Sequence, residues 1–218
     1  MHLTLKTIMT TTKKTTATTS RAKTISTKKP AAPKAKVVEE PIPDLPSNPF
    51  VFEILNAVVK QRSNARKVEV LKKYEHPCLK SIFIWNFDES IVSVLPPGDV
   101  PYSAVNEMDS FKGTLSEKIA DAVGKMEELG SNSLGSQDQG RSSIRKEYQK
   151  FYNFVRGGND GLSSLRRETM FINLLQGLHP LEAEIVCLCK DKKLDTKYKI
   201  SKEVIAEAYP DIQWGGRS

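Results

Sequence analysis

Two short stretches of the 218-residue chain concentrate side chains suited to gripping a phosphate. The first runs from Arg156 through a glycine-rich turn to Ser163, Ser164, Arg166 and Arg167. It brings two hydroxyls and two guanidinium groups to a helix start, where free N–H groups and the positive end of the helix dipole favour an anion. Arginine adds a planar fork that matches phosphate oxygens. The competing reading is internal, with Arg166 and Arg167 pairing with Glu168 or packing between helices. The second stretch holds Lys190, Lys192, Lys193, Lys197 and Lys199 within ten residues, broken only by Asp191 and Asp195. It ends at Ser201 and Lys202, on another helix start. The plain alternative is a solvated loop, since lysine is common on surfaces. Both stretches suit holding a nucleic-acid backbone, and neither carries a base-reading pattern.

No comparable concentration of catalytic chemistry exists. The glycine cluster Gly157-Gly158-Asn159-Asp160-Gly161 lacks the lysine and preceding strand of a phosphate loop, and reads better as a helix C-terminal turn. Cys187 and Cys189 lie two apart on a helical pattern and so point to different faces. Neither they nor the His179/Glu182 pair has a metal-ligand spacing. His76 and His179 each precede a proline at a helix start, a capping position. The acidic pairs Asp88-Glu89 and Glu127-Glu128 fall at helix ends. The expectation is a non-enzymatic protein with no cofactor, no metal and no small-molecule substrate. Three cysteines are too few for a disulfide scaffold. No apolar run approaches the ~20 residues of a membrane span, so no membrane partner is expected.

The elements that must carry these clusters are helical. Asn48 and Pro49 predict a first helix with Phe50, Ile54, Leu55 and Val58 as its apolar stripe. Ser63 caps a second, burying Val68, Leu71 and Tyr74 and turning Arg66, Lys67, Lys72 and Lys73 outward. Pro77 opens a third, apolar nearly all round and so expected at the centre. Asp88 is expected to cap a short fourth helix over residues 89–95, stopped by Pro96-Pro97-Gly98. Residues 103–141 read as a flexible insertion carrying one helix, started by a Thr114/Glu117 capping box. Further helices are expected over 143–155, over 163–176, from Pro180, and from Ser201 to Pro210. Residues 190–199 read as a loop, and no convincing strand pattern is present. The starts at His76 and His179 look alike, through either a faint duplication or shared capping chemistry. The fold class is therefore all-α: a compact multi-helix domain over 48–214.

A different segment precedes it. Residues 1–36 carry nine of the 33 basic residues and no acid, so the rest of the chain holds 24 basic against 26 acidic side chains. The whole of the +7 net charge comes from the tail. Composed of Thr, Lys, Ser, Ala and Pro, the tail buries too little to offset its backbone entropy and is expected to be disordered. With the proline-rich linker after it, this segment spans residues 1–47. Lys13, Lys14, Arg21, Lys23, Lys28, Lys29, Lys34 and Lys36 suit sequence-neutral polyanion binding through counterion release. A solubilising or leader-like extension, with translation starting at Met9, accounts for it equally well.

Two resemblances rest on these residues. The segments from Phe52 to Tyr102, from Leu165 to Leu194 and from Lys197 to Ile212 resemble an uncharacterised family encoded by large tailed, myovirus-type phages of marine bacteria. The order of elements is similar to the N-terminal helical DNA-binding domain of phage-type ATP-dependent DNA ligases. The matching positions are Ile54-Leu55-Asn56, Lys67 to Lys73, Leu165-Arg166-Arg167, Ser201 and Tyr209-Pro210. That likeness implies a ligase-domain-like fold and duplex contacts at Arg167, Lys192, Lys193 and Ser201, with Arg166 beside them. The K-x-D-G motif of the ligase nucleotidyltransferase is absent, so the implied module would hold DNA without the chemistry. The expected partner is double-stranded DNA, and the expected location the host cytoplasm during infection. A virion or assembly protein that binds another phage protein is the second reading.

Overall fold

A computed structural model describes residues 42–103, 112–128 and 141–216. The tail, with its nine basic residues and its expected disorder, and the polar loop at 129–140 lie outside the described residues. The described portion is predominantly helical, and its compact unit already includes Ile42 and Leu45, upstream of the boundary read from the prolines. Tyr74 explains why part of the linker belongs to this unit: its hydroxyl donates to the Pro43 carbonyl (2.7 Å) and accepts from the Leu45 N–H (2.9 Å).

Helix α1 (Val51–Lys60) starts later than Asn48 and Pro49 predict, because Glu53 reaches back to accept the Phe50 N–H at 2.8 Å. Helix α2 (Asn64–Lys73) begins under the Ser63 cap, and α3 (Pro77–Phe87) under the ring of His76. Helix α4 (Leu115–Glu128) forms the expected Thr114/Glu117 box. It packs against α7 (Pro180–Lys190), with Leu115 and Ala122 buried. Helix α6 (Ser164–Gly177) has Ser163 at its start, and α9 (Lys202–Ala208) ends before Pro210. The starts of α3 and α7 share one device: His76 Nδ1 accepts the Cys78 N–H and His179 Nδ1 the Leu181 N–H, each at 3.1 Å.

Four expectations need correction. Residues 89–95 are not a helix. Asp88 ends α3 and folds Ser90 onto its own carboxylate, and the β-branched stretch then runs extended beside residues 154–156. Val94 N–H donates to the Phe154 carbonyl (3.0 Å) and Arg156 N–H to that of Val92 (2.8 Å). The helix expected over 143–155 is a single α-turn, α5 (Ile144–Glu147), continuing as a 3₁₀ helix over Tyr148–Phe154. The lysine stretch at 190–199 contains a short helix, α8 (Leu194–Tyr198). A two-stranded antiparallel ribbon joins β1 (Pro101–Ser103) to β2 (Lys112–Thr114), with Pro101 opposite Thr114.

The hub is α7, which packs on α1, α3, α4, α6 and α8. Its Leu181, Ala183, Ile185, Val186 and Cys189 are buried, so it is apolar on more than one face. Among them sits a fully buried carboxylate, Glu182. Its two oxygens accept the Val51 N–H (3.0 Å) and the Ile144 N–H (2.8 Å), the first residues of α1 and α5. A helix start leaves N–H groups without intrahelical partners, and one side chain here serves two of them. Burial pushes the Glu182 carboxyl up to about 7, although both N–H donors pull it down. His179 next to it is stacked on Phe52 and tilted against Phe50, and burial holds its imidazole down at about 4.

Replacing Glu182 with Ala is expected to orphan two buried N–H groups, at roughly 1–3 kcal/mol each. The pH dependence separates charge from packing. With its folded pKa raised, the Glu182 contribution is greatest below the ordinary carboxylate range and declines as pH rises through about 7. His179 acts oppositely, losing its contribution as pH falls through about 4, but it is common to wild type and variant. Denaturant unfolding should therefore show the stability gap between wild type and Glu182→Gln narrowing as pH rises from about 4.5 to about 7. A gap independent of pH would contradict the burial assigned to this carboxylate.

Candidate nucleic-acid interface

The two cationic stretches are anchored to one extended segment, residues 88–98. Arg156 is tied to Val92 through its backbone, and Ser93 bridges Val155. From the lysine stretch, the Lys192 ammonium donates to the Asp88 carbonyl (2.6 Å). That of Lys190 donates to the carbonyls of Pro96 (2.8 Å) and Gly98 (3.1 Å). Asp88 also accepts the Gly215 N–H at 3.0 Å, which draws in Trp214. Lys202 lies over the Trp214 ring, 4.9 Å from its centroid.

Within each cluster the charges divide into structural and exposed groups. Lys190 is buried and, besides the two carbonyls, holds Asp191 at 2.5 Å. An ammonium has three donors, and all three are taken. Lys192 is half-buried, and burial pulls its ammonium below the ordinary lysine value. In the first cluster Arg167 is the internal clamp. Its Nε donates to the Asn153 carbonyl (2.8 Å) and its Nη2 to that of Asn159 (2.7 Å). Asn159 returns a bond to the Asn153 side chain at 2.8 Å. Close packing fixes the same turn: a Cβ on Gly158 would lie 1.9 Å from the Tyr152 carbonyl oxygen, so only glycine fits.

Facing solvent are Arg156, Arg166 and Lys193, together with the hydroxyl-bearing Ser163, Ser164 and Ser201. Ser163 accepts the Arg166 N–H at 3.5 Å, a long cap bond, while the Ser201 hydroxyl caps no N–H. Lys197 is exposed but paired with Glu184. Lys199 and Lys192 both have positive φ, at 48° and 57°, a conformation that costs a non-glycine residue roughly 1–2 kcal/mol. At Lys199 the carbonyl accepts from the Lys67 ammonium at 2.8 Å, bringing the basic face of α2 beside the lysine stretch. Sequence reading turned Lys67 outward but had no signal for that partner, which lies 132 positions away.

Burial pushes the Cys78 and Cys187 thiols up to about 12 and raises Cys189 as well, which leaves no ready thiolate nucleophile among them. Among the described residues no group of His, Cys, Asp or Glu is arranged to hold a metal ion. No described helix is long and apolar enough to cross a membrane.

The division of charges has a direct test. Lys190→Ala and Arg167→Ala are each expected to lower unfolding free energy by about 2–4 kcal/mol, because each strips two carbonyls of a donor and Lys190→Ala also empties a buried position. Lys193→Ala should stay within about 0.5 kcal/mol of wild type. Equal effects from all three, measured by denaturant titration, would erase the distinction.

No curated protein and no solved structure matches this chain. A family of unknown function (DUF6433) does match, over residues 54–126 and 131–196. Those segments run from α1 into α8 and include α4, the whole first cluster, and Lys190, Lys192 and Lys193 of the second. They cover more than half of the sequence, and the chain therefore belongs to this family of unknown function.

Proposed function

We propose that the protein is a non-catalytic accessory factor, of tailed-phage origin, that holds duplex DNA by its phosphate backbone. The observation that carries this reading is the common anchorage of both cationic stretches on residues 88–98, through Arg156 in one and Lys190 and Lys192 in the other, with Arg156 and Lys193 exposed on them and Arg166 exposed on α6. Helix α2 adds Lys67 beside Lys199. The likeness in element order to ligase DNA-binding domains supports the same partner. Because the folded part is close to neutral, its grip would be local, and the basic tail would add affinity indifferent to sequence. Such a protein acts in the host cytoplasm during infection.

A virion or assembly role has one observation in its favour. Leu165 on α6 is 76% exposed, an unusual position for a leucine flanked by hydroxyls and arginines, and Met170 on the same helix is also exposed. Presence in purified particles, read by mass spectrometry, would favour that role over DNA metabolism.

Duplex binding across a salt series tests the main reading, using the full chain and residues 40–218. Both forms are expected to bind at low salt, the full chain more tightly. In the shorter form, a combined Arg156→Ala, Arg166→Ala and Lys193→Ala variant should weaken binding and flatten the log–log salt slope by about 2–3, at ~0.9 per phosphate contact. Failure of both forms to bind at low salt would refute the reading. An unchanged slope in the triple variant would remove these residues from the interface.

A further inference from the structure

Beside the first cluster lies an open groove of about 300 Å³, floored by Ile84, Trp85 and Ile91 and walled by Tyr148, Phe151 and Tyr152. Three features mark it out from ordinary surface relief. Trp85 is only 2% exposed, and its indole Nε1 is buried with no hydrogen-bond partner. Native interiors seldom leave such a donor unmatched, and doing so costs about 1–3 kcal/mol. The Ser93 hydroxyl is likewise buried and unpartnered, on the residue that bridges Val155 in the groove wall. Tyr152, by contrast, is 53% exposed and offers a ring to solvent at the rim.

The charges that neighbour the lining along the chain bear on the occupant. Tyr148 to Val155 supply one wall, and this stretch is bracketed by Lys146 and Arg156, both exposed and without an ion pair among the described residues. Lys150, on the same 3₁₀ helix, is paired with Glu147. The acid closest along the chain to Ile91 is Glu89. A recess lined by Tyr148, Phe151 and Tyr152, with exposed cations next to it along the chain, fits an unstacked nucleobase whose backbone runs past those cations. Stacking on the exposed Tyr152 ring supplies sequence-tolerant affinity. We infer that this groove receives an unpaired nucleobase of single-stranded DNA, at an end or junction of the strand held by the adjacent cluster. The inference deepens the DNA-holding reading and rests on it. An apolar side chain of an acidic peptide is the competing occupant.

The test uses the full chain carrying Trp214→Phe, which leaves Trp85 as the sole tryptophan. A short oligothymidylate is titrated against an abasic strand of equal length and charge, with Trp85 emission as the readout. The tail can bind both strands, but only the first has bases. Oligothymidylate is expected to change Trp85 emission and the abasic strand to leave it unaltered. Tyr152→Ala should weaken the response roughly fivefold or more, and Tyr152→Phe should retain it. Equal responses to the two strands, or an unaffected Tyr152→Ala variant, would overturn the assignment. So would a Trp85 response confined to an acidic peptide with a central phenylalanine. If duplex binding survives while Trp85 ignores bases, the groove assignment alone falls. If neither form of DNA binds, the DNA-holding reading falls with it.

Discussion

A buried carboxylate joined to two helix starts organises this domain. Glu182 stands on α7, the helix that touches most of the others, and holds the first N–H of α1 and of α5. Neither helix start can then move independently of the hub, since any shift breaks a buried hydrogen bond in a dry setting. The same residue also explains a feature of the sequence: an acid at the third position of a helix usually serves that helix. His179 already caps α7, which leaves Glu182 free to serve two others. The arrangement holds strongly polar atoms in the core only because each carboxylate oxygen has a donor.

Cations are used in a corresponding way at the periphery. Lys190 and Arg167 gather carbonyls of turns and a helix end, at Pro96 and Gly98 in one case and Asn153 and Asn159 in the other. A loop near the surface can stay ordered this way without further apolar burial. The consequence for function is a subtraction. Of twelve basic or hydroxyl side chains that the sequence places at a phosphate site, several are spent on the fold, and the exposed remainder is sparse. Net charge and local lysine density cannot separate the two uses, because both need the same residue types.

Capping chemistry was the most legible part of the sequence. Ser63, the histidine–proline pairs and the Thr114/Glu117 box all sit where helices begin, since each satisfies a local requirement within a few residues. The misread segment, 89–95, shows where locality ends. Asp88 followed by Ser90 suits a helix cap or a tight turn, and Ile91, Val92 and Val94 suit a helix face or an extended run. The decision belongs to residues 154–156, more than fifty positions downstream, which offer a backbone edge to pair with. Glu182 was equally opaque: its two donors lie 131 and 38 residues away. The αL lysines at 192 and 199 likewise reflect the path of α8 and no preference of lysine itself.

That misread segment is also where the candidate functions converge. Residues 88–98 give up helical bonding, so their backbone groups must pair outward. They do so with Arg156 on one side and with Lys190 and Lys192 on the other. Ile91 from the same stretch lines the groove, and Ser93 contributes a buried hydroxyl without a hydrogen-bond partner. A helix at this position would have satisfied its own backbone and left both cationic clusters without a common anchor. Choosing an extended strap costs internal hydrogen bonds but brings cationic stretches and an aromatic recess onto one short segment. Extended segments of this kind, held by long-range contacts, are where a helical domain can place such groups side by side.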